Sequence, residues 1–234
     1  MDNSAPTVAK KLHAWLDEII ARRKTQAGST DDVLNRCLAL QAVGLAAMDD
    51  VSIQNNLIGL LADAIPTTSK CCPPALDELL KRPTELAQAQ EAARNNNDTL
   101  LSRYVFEALR FNPNNRGVFR IATQDDLVAR GALHATPIPK GTTVLPARQS
   151  AMFDERVVDS RNEFRVDRPD YIYMYFGFGL HTCFGEVSGS RADTRHSEAL
   201  TSTNRVASRF RRIGGELQYR VPFPSSLVVE FDPA

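Results

Sequence analysis

The residue pattern changes after FNPNN at residues 111–115, and this change limits the folds that the chain can adopt. Before it, apolar residues recur at three- and four-residue steps, which predicts amphipathic helices. After it, the runs GVFRIATQ, ALHATPIP and TTVLPA are rich in β-branched residues and predict short strands, with PKGT as a turn between two of them. Because strands and helices are grouped and do not alternate, the pattern predicts a mainly α protein with a small β region, an α+β fold.

Helices account for most of the sequence before residue 113. Pro66 is predicted to end or kink the third of them, because proline cannot donate to the helical hydrogen-bond ladder and clashes with the preceding turn. Asp98 or Thr99 is predicted as the N-cap of the last helix. The predicted helical segments are VAKKLHAWLDEIIARR, DDVLNRCLALQAVGLAAM, VSIQNNLIGLLADAI, PPALDELLKRPTELAQAQEAAR (divided by Pro83) and TLLSRYVFEALRF.

The size and charge of the chain argue against several classes of protein. Its 234 residues are 43% hydrophobic and 24% charged with a formal net charge of zero, enough for one substantial domain or two small ones. The zero net charge argues against a nucleic-acid binder. No apolar run approaches the ~20 residues of a transmembrane segment, and no secretory signal is recognisable, so a cytoplasmic location is predicted. Adjacent Cys71 and Cys72 fit reduced thiols in such a compartment.

Residues 176–185 read FGFGLHTCFG, which surrounds Cys183 with three glycines. Glycine permits positive φ and close backbone approach, and backbone N–H groups directed at the sulfur would favour a thiolate. His181 would emerge on the same side as Cys183 if this segment is extended. A buried structural cysteine is the alternative interpretation. A zinc site would need two further ligands, and no CxxC or HxxxH spacing supplies them.

Two charged positions stand out in apolar surroundings. Glu107 and Arg110 form E-A-L-R in a helix that is apolar nearly all round, so they share one face and are predicted to be a buried pair. A buried pair needs further hydrogen-bond partners. Arg168 in EFRVDRPD is a candidate third member, since it stands alone in irregular sequence between apolar anchors. Taken by itself, Arg168 would be a solvated charge.

These three features, in this order, resemble the cytochrome P450 superfamily. FGFGLHTCFG matches the haem-binding loop F-x-x-G-x-x-x-C-x-G of that family. E-A-L-R matches the E-x-x-R of its K helix, and FRVDR matches the segment whose arginine completes a structural Glu–Arg–Arg network. The loop is the most specific of the three matches, whereas E-x-x-R alone is common.

The resemblance implies a cofactor site for haem b (iron protoporphyrin IX). Cys183 would be the axial thiolate of the haem iron. His181 and Arg120 resemble the residues that bind the two haem propionates. Phe176 would pack beside the thiolate and shield it, with Gly177 next to it in the haem-binding loop.

The resemblance also places a catalytic helix above the haem, ending near Pro66. The family usually carries A/G-G-x-[DE]-T there, and D-A-I-P-T-T at residues 63–68 is the nearest match. Thr67 is the candidate catalytic alcohol and Asp63 the candidate acid, although Pro66 stands where the acid is expected. Loss of that acid weakens dioxygen activation and resembles P450s that rearrange fatty-acid hydroperoxides. The sequence from ALHATPIPKGT to the cysteine loop is also similar to the P450 part of bacterial peroxidase–P450 fusion proteins.

The resemblance covers the C-terminal half of the family's fold, so a partial cytochrome P450 fold is expected. An N-terminal half or a peroxidase partner on another chain would complete the haem cradle. The stretch VSGSRADTRHSEALTSTN lacks the apolar face of the family's L helix, which suggests compensating frameshifts in the coding sequence. The expected divisions are 1–112 (helical, about G/H to K helices), 113–175 (small β region and meander), 176–186 (haem-binding loop), 187–213 (disrupted L-helix region) and 214–234 (C-terminal β hairpin).

Four functions follow from these readings. The first is a haem-thiolate oxidoreductase of the monooxygenase type that takes a small apolar substrate, such as a fatty-acid derivative, and a redox partner. The second is a fatty-acid hydroperoxide isomerase that does not activate dioxygen. A third is a non-catalytic remnant of the family, and a fourth is a helical interaction module formed by residues 1–112.

Overall fold

The computed structural model describes residues 5–26, 30–183 and 185, and the strand residues 210–212, 218–220, 223–226 and 229–231. Five of its described α-helices precede the first strand, and its strands are short, so the expected mainly α fold with a small β region is confirmed. The described helices are α1 Ala5–Thr25, α2 Val33–Ala42, α3 Asp50–Leu80, α4 Pro83–Arg94, α5 Asp98–Phe111 and α6 Arg148–Ala151. The described strands are β1 Arg120–Ile121, β2 Asp126–Val128, β3 Thr136–Ile138, β4 Thr143–Val144, β5 Phe210–Arg212, β6 Gln218–Arg220, β7 Phe223–Ser226 and β8 Val229–Phe231.

The chain divides into two compact units, Met1–Thr67 and Thr68–Ala234. In the first unit, a small core forms around Ile20 of α1, Leu34 of α2 and Ile53 of α3. Asp32 caps α2 by accepting a hydrogen bond from the Asn35 backbone N–H at 2.9 Å.

Helix α3 continues through Pro66 and ends at Leu80. Of the predicted end or kink at Pro66, the end is therefore wrong, and the kink stays a prediction. The sequence PPALDELL, predicted to open a separate helix, forms its last turns. Ala75 and Leu79 from these turns are buried in the core of the second unit. Burial of apolar side chains favours the helical backbone there, and tertiary packing of this kind outweighs the local penalty of proline.

The core of the second unit joins the end of α3 to α4 and α5. The Tyr104 hydroxyl in α5 donates to Gln88 Oε1 in α4 at 2.8 Å, which fixes the two helices beside this core. Phe164 and Tyr175, from the segment that leads to the cysteine, pack against the same cluster. The buried members are Ala75, Leu79, Ala89, Ala92, Leu101, Tyr104, Ala108 and Leu109.

The N-cap of α5 is Asn97, so the predicted cap at Asp98 or Thr99 is wrong by one or two residues. The Asn97 side-chain oxygen accepts a hydrogen bond from the Leu100 backbone N–H at 3.1 Å. Asp98 is the first helical residue, where its negative charge interacts favourably with the helix dipole.

The strands of the second unit form antiparallel pairs. β1 pairs with β4, which places Arg120 opposite Val144, and β2 pairs with β3 between them in sequence. The predicted PKGT turn joins β3 to β4, and Gly141 takes φ +86° in it. β5 pairs with β8 and β6 with β7. Most of 187–213, the predicted disrupted L-helix region, lies outside the described residues, and the division boundaries stay predictions.

Within the described part of the chain, no helix is both long enough and apolar enough to cross a membrane.

We expect Asn97→Ala to lower the free energy of unfolding by about 1 kcal/mol, because the Leu100 N–H then loses its capping acceptor. Urea unfolding followed by circular dichroism measures this loss. Asn97→Asp keeps an acceptor and serves as the matched control, with a change of less than about 0.5 kcal/mol expected. Equal losses in both variants would contradict the assignment of Asn97 as the cap.

Candidate cofactor site at the cysteine loop

Hydrogen bonds within its own backbone close the cysteine loop, which begins at Phe176 and contains Cys183. The Cys183 N–H donates to the Phe176 carbonyl at 2.7 Å, and the Thr182 N–H donates to Gly179 O at 3.0 Å. Gly177 and Gly179 take φ of +76° and +71°, a region that residues with a Cβ rarely adopt. The prediction that these glycines provide positive φ is confirmed.

Cys183 is a free and exposed cysteine, so the interpretation as a buried structural cysteine is wrong. A Cβ at position 185 would lie 3.4 Å from the Cys183 sulfur, so Gly185 keeps that side of the sulfur open. The large side chains of Phe178 and Leu180, in the same loop, are also exposed. By contrast, burial raises the pKa of Cys71 to about 11, which keeps that thiol neutral. A loop that exposes both a sulfur and apolar side chains is suited to binding a flat apolar ligand.

Among the described residues, no group of three or more His, Cys, Asp or Glu side chains is arranged to hold a metal ion. Residues Gly179–His181 form a 3₁₀ turn. The extended backbone from which the direction of His181 was predicted is therefore absent, and the side chain of His181 lies outside the described residues. Its role stays a prediction.

Phe176 anchors the start of the loop on α5. Its ring meets the Phe106 ring edge to face, with centroids 6.2 Å apart. Phe106 also contacts the rings of Tyr173 and Tyr175 at 5.9 and 5.8 Å. The Tyr175 hydroxyl donates to the Phe106 carbonyl at 2.5 Å. The residues directly before the cysteine loop are therefore held by the packing of their aromatic rings on Phe106 of α5.

The predicted network of Glu107, Arg110 and Arg168 is confirmed. Glu107 and Arg110 have 0% relative exposure, and Arg168 has 6%. The Arg110 Nε and Nη2 donate to the two carboxylate oxygens of Glu107 at 3.0 and 2.8 Å. The Arg168 Nε donates to Glu107 Oε1 at 3.1 Å. The Arg165 backbone N–H and the Tyr173 hydroxyl donate at 3.0 and 3.1 Å, so this carboxylate accepts five hydrogen bonds.

The two arginines also hold the irregular segment between α6 and the cysteine loop. Arg110 donates to the carbonyls of residues 152, 161 and 163 at 3.2, 2.8 and 3.1 Å. Arg168 donates to those of residues 159, 160 and 163 at 2.7, 2.8 and 3.0 Å. Buried carbonyls need donors, and this segment has no ladder of its own to supply them. We infer that the network is structural, because the guanidinium groups of Arg110 and Arg168 donate to backbone carbonyls as well as to Glu107.

The protonation of Glu107 follows from these contacts. Burial alone would raise the pKa of Glu107, but the hydrogen bonds from Arg110, the Arg165 N–H and Arg168 outweigh it and lower that pKa. Burial and the charge of Glu107 raise the pKa of Tyr173, which therefore stays a neutral donor. The network holds a carboxylate at neutral pH.

Arg120 and a second arginine, Arg148, lie at the β1–β4 pair. Arg120 is exposed, and its Nη1 donates to Phe119 O at 2.9 Å. Arg148, four residues after Val144, donates through Nη1 to Tyr175 O at 3.1 Å. Sequence reasoning missed Arg148, because no motif marks it and its contact is 27 residues away along the chain.

Asp63 and Thr67 are both exposed on α3. The Thr67 hydroxyl donates to the Asp63 backbone carbonyl and, at 3.4 Å, to Ala64 O. Threonine often bonds to its own helix in this way. The two residues belong to the first unit and Cys183 to the second, so their catalytic roles stay predictions.

Comparison with known proteins gives a family match over most of the chain. The family model described as Cytochrome P450 matches residues 3–188. Cytochrome P450 109 of Bacillus spizizenii is 27% identical over 74% of this chain and 40% of its own length. Steroid C26-monooxygenase of Mycolicibacterium smegmatis is 26% identical over 72% of this chain and 39% of its own length. Abscisic acid 8'-hydroxylase 2 of Oryza sativa subsp. indica is 26% identical over 92% of this chain and 46% of its own length. The chain spans less than half the length of these curated relatives.

Solved structures give the same result for the fold. P450BioI in complex with hexadec-9Z-enoic acid ligated acyl carrier protein has a TM-score of 0.71 at 20% identity, covering 97% of this chain and 54% of that one. CYP109Q5 from Chondromyces apiculatus has a TM-score of 0.67 at 24% identity, covering 94% and 53%. These likenesses confirm the partial fold expected from the sequence.

We expect Glu107→Gln to lower the free energy of unfolding at pH 7 by about 3 kcal/mol, because two buried guanidinium groups lose their counter-charge. The folded pKa of Glu107 is lowered, so its contribution is complete above the unfolded value of ~4.3 and is lost as pH falls through the folded pKa. The gap between wild type and variant should therefore narrow at pH values below ~4.3.

Urea midpoints measured between neutral and acid pH test this expectation. Glu91→Gln is the control, since Glu91 is exposed and its contacts with Arg94 and Asn95 lie at the surface. Its effect should stay within about 0.5 kcal/mol at every pH. A gap for Glu107→Gln that is constant with pH would show that Glu107 does not titrate as described.

Proposed function

The chain belongs to the cytochrome P450 family, and from that membership we propose that it acts as a haem-thiolate oxidoreductase of the monooxygenase type. One observation carries the proposal. Cys183 is exposed at the end of a loop whose glycines take positive φ and whose ends are joined by the 2.7 Å hydrogen bond from Cys183 N–H to Phe176 O. A thiol held in a rigid loop and left open to a ligand fits an axial thiolate.

The residues of the second unit fit haem b. Cys183 would provide the thiolate, and Phe176 and Gly177 would form the wall beside it. Arg120 is an exposed cation without an ion pair among the described residues, which suits a propionate carboxylate. His181 is proposed for the other propionate from its position in the motif. When bound, a haem with a thiolate ligand would supply the oxidative chemistry, and the protein would supply binding and orientation.

The protein's own groups would act by holding the cysteine in place. Tyr173 links the Glu107 carboxylate to the aromatic cluster through its hydroxyl, at 3.1 Å, and its ring stacks on Tyr175 at 5.9 Å. Tyr175 immediately precedes Phe176. The buried charge network would therefore set the position of the loop without touching the reacting atoms.

The substrate is proposed to be small and apolar, such as a fatty-acid derivative. Two relatives are named for a steroid and for abscisic acid, and one structural neighbour is a complex with a hexadecenoic acid on a carrier protein. We also propose that the chain acts together with a redox partner, an N-terminal half or a peroxidase partner. We further propose a cytoplasmic location, which is supported by the thiol state of the cysteines at positions 37, 71, 72 and 183, since these four form no disulfide.

A fatty-acid hydroperoxide isomerase is the second candidate, and the state of Thr67 favours it. The Thr67 hydroxyl is bonded to backbone carbonyls of its own helix, and Pro66 replaces the expected acid. An enzyme whose substrate already contains an O–O bond needs no such proton delivery. With ¹⁸O-labelled hydroperoxide, an isomerase keeps both labelled oxygens in the product, whereas a monooxygenase needs reductant and O₂. Absence of turnover, both with the hydroperoxide and with a fatty acid plus reductant and O₂, would favour the non-catalytic remnant.

We expect Cys183→Ala to abolish the thiolate signature of the haem-loaded chain. Hemin titration of the wild-type chain, followed by reduction and CO addition, should give the red-shifted Soret band of thiolate ligation. Cys72→Ala is the control, since Cys72 lies in α3 outside the cysteine loop, and it should keep the wild-type band.

Two outcomes would contradict the proposal. One is a wild-type chain whose absorbance shows no bound haem. The other is a CO spectrum in Cys183→Ala that matches wild type, which would mean that another group binds the iron.

A further inference from the structure

Arg120 and Arg148 are two like charges near the β1–β4 pair. The β1–β4 pairing places Arg120 opposite Val144, and Arg148 follows four residues later at the start of α6. Among the described residues, no carboxylate forms an ion pair with either arginine. Elsewhere in the same unit, Arg110, Arg156 and Arg168 each lie against an acid. The described residues therefore leave both cations open to an anionic ligand.

Arg148 is anchored on backbone that leads to the cysteine. Its Nη1 donates to the carbonyls of Tyr175 and Met174 at 3.1 and 3.4 Å, and its Nη2 donates to Asn115 O at 3.4 Å. Tyr175 directly precedes Phe176, whose carbonyl accepts the N–H of Cys183. The Arg148 guanidinium group is therefore connected to Cys183, the residue proposed to bind the iron, through the backbone of Tyr175 and Phe176.

One donor of Arg148 is left over. Its Nε is buried and has no hydrogen-bond partner among the described residues. A buried N–H without an acceptor costs about 1–3 kcal/mol. Burial and the positive charge of Arg120 both lower the pKa of Arg148.

We propose that Arg148 and Arg120 together bind one carboxylate of the haem, with Arg148 donating to it through Nε. The inference rests on the proposed function and adds a residue that the sequence motif does not contain. A guanidinium group is planar and matches a carboxylate in geometry and charge. Because the same group holds the carbonyls of Met174 and Tyr175, it fixes the carboxylate relative to the cysteine loop.

A purely structural role for Arg148 explains less. A cross-link between Asn115 and Tyr175 uses only Nη1 and Nη2. It does not account for the unpaired Nε, and it does not offset the repulsion between the charges of Arg120 and Arg148. A carboxylate ligand does both.

Equilibrium titration with hemin and with hemin dimethyl ester, in dilute detergent, tests the proposal through the Soret band. The ester removes the negative charge of both propionates and leaves the ring and iron unchanged. We expect Arg148→Gln to weaken hemin binding about tenfold, the loss of one charged hydrogen bond, and to change ester binding less than twofold. Arg148→Lys keeps the charge and should recover part of the loss.

Arg156→Gln is the matched control, since Arg156 is an exposed arginine of the same unit that pairs with Asp154. It should bind both probes as wild type does. Equal hemin affinity in wild type and Arg148→Gln would overturn the inference alone. Equal losses for hemin and its ester in both Arg148 variants would also overturn it, because they indicate a structural cross-link. Failure of wild type to bind either probe would overturn the proposed function as well.

Discussion

The second unit depends on one buried carboxylate. Glu107 accepts five hydrogen bonds from four residues that are distant in sequence except Arg110. A carboxylate with no exposure is unfavourable unless its charge is compensated and its lone pairs are occupied. Here that requirement holds together α5, the irregular segment before residue 168 and the aromatic residues before the cysteine loop. The network contributes more by holding these segments in position than by the net free energy of its ion pairs.

Position is what the cysteine loop needs. Cys183 is exposed, so little packing of its own side chain holds it in place. Its backbone N–H is bonded to Phe176, Phe176 packs on Phe106, and Phe106 is the residue before Glu107 in α5. A rigid helix thus carries both the buried charge and the aromatic surface on which the loop rests. The glycines allow the backbone to turn there without strain.

The sequence predicts those parts of the site that depend on residue type. Only glycine takes positive φ readily, and a glutamate–arginine pair inside an apolar helix has to be buried and satisfied, so both features could be predicted from composition and spacing. The continuation of α3 through Pro66 could not, because burial of Ala75 and Leu79 decides it. Arg148 could not be predicted either, since its partners are carbonyls, which carry no residue-type signal.

The central claim is a bond between the sulfur of Cys183 and a haem iron. X-ray absorption at the iron edge of the hemin-loaded chain reports the atoms bound to iron directly. The account predicts one sulfur neighbour in wild type and its loss in Cys183→Ala, with Cys72→Ala unchanged. An iron environment of nitrogen and oxygen alone in the wild-type chain would contradict it.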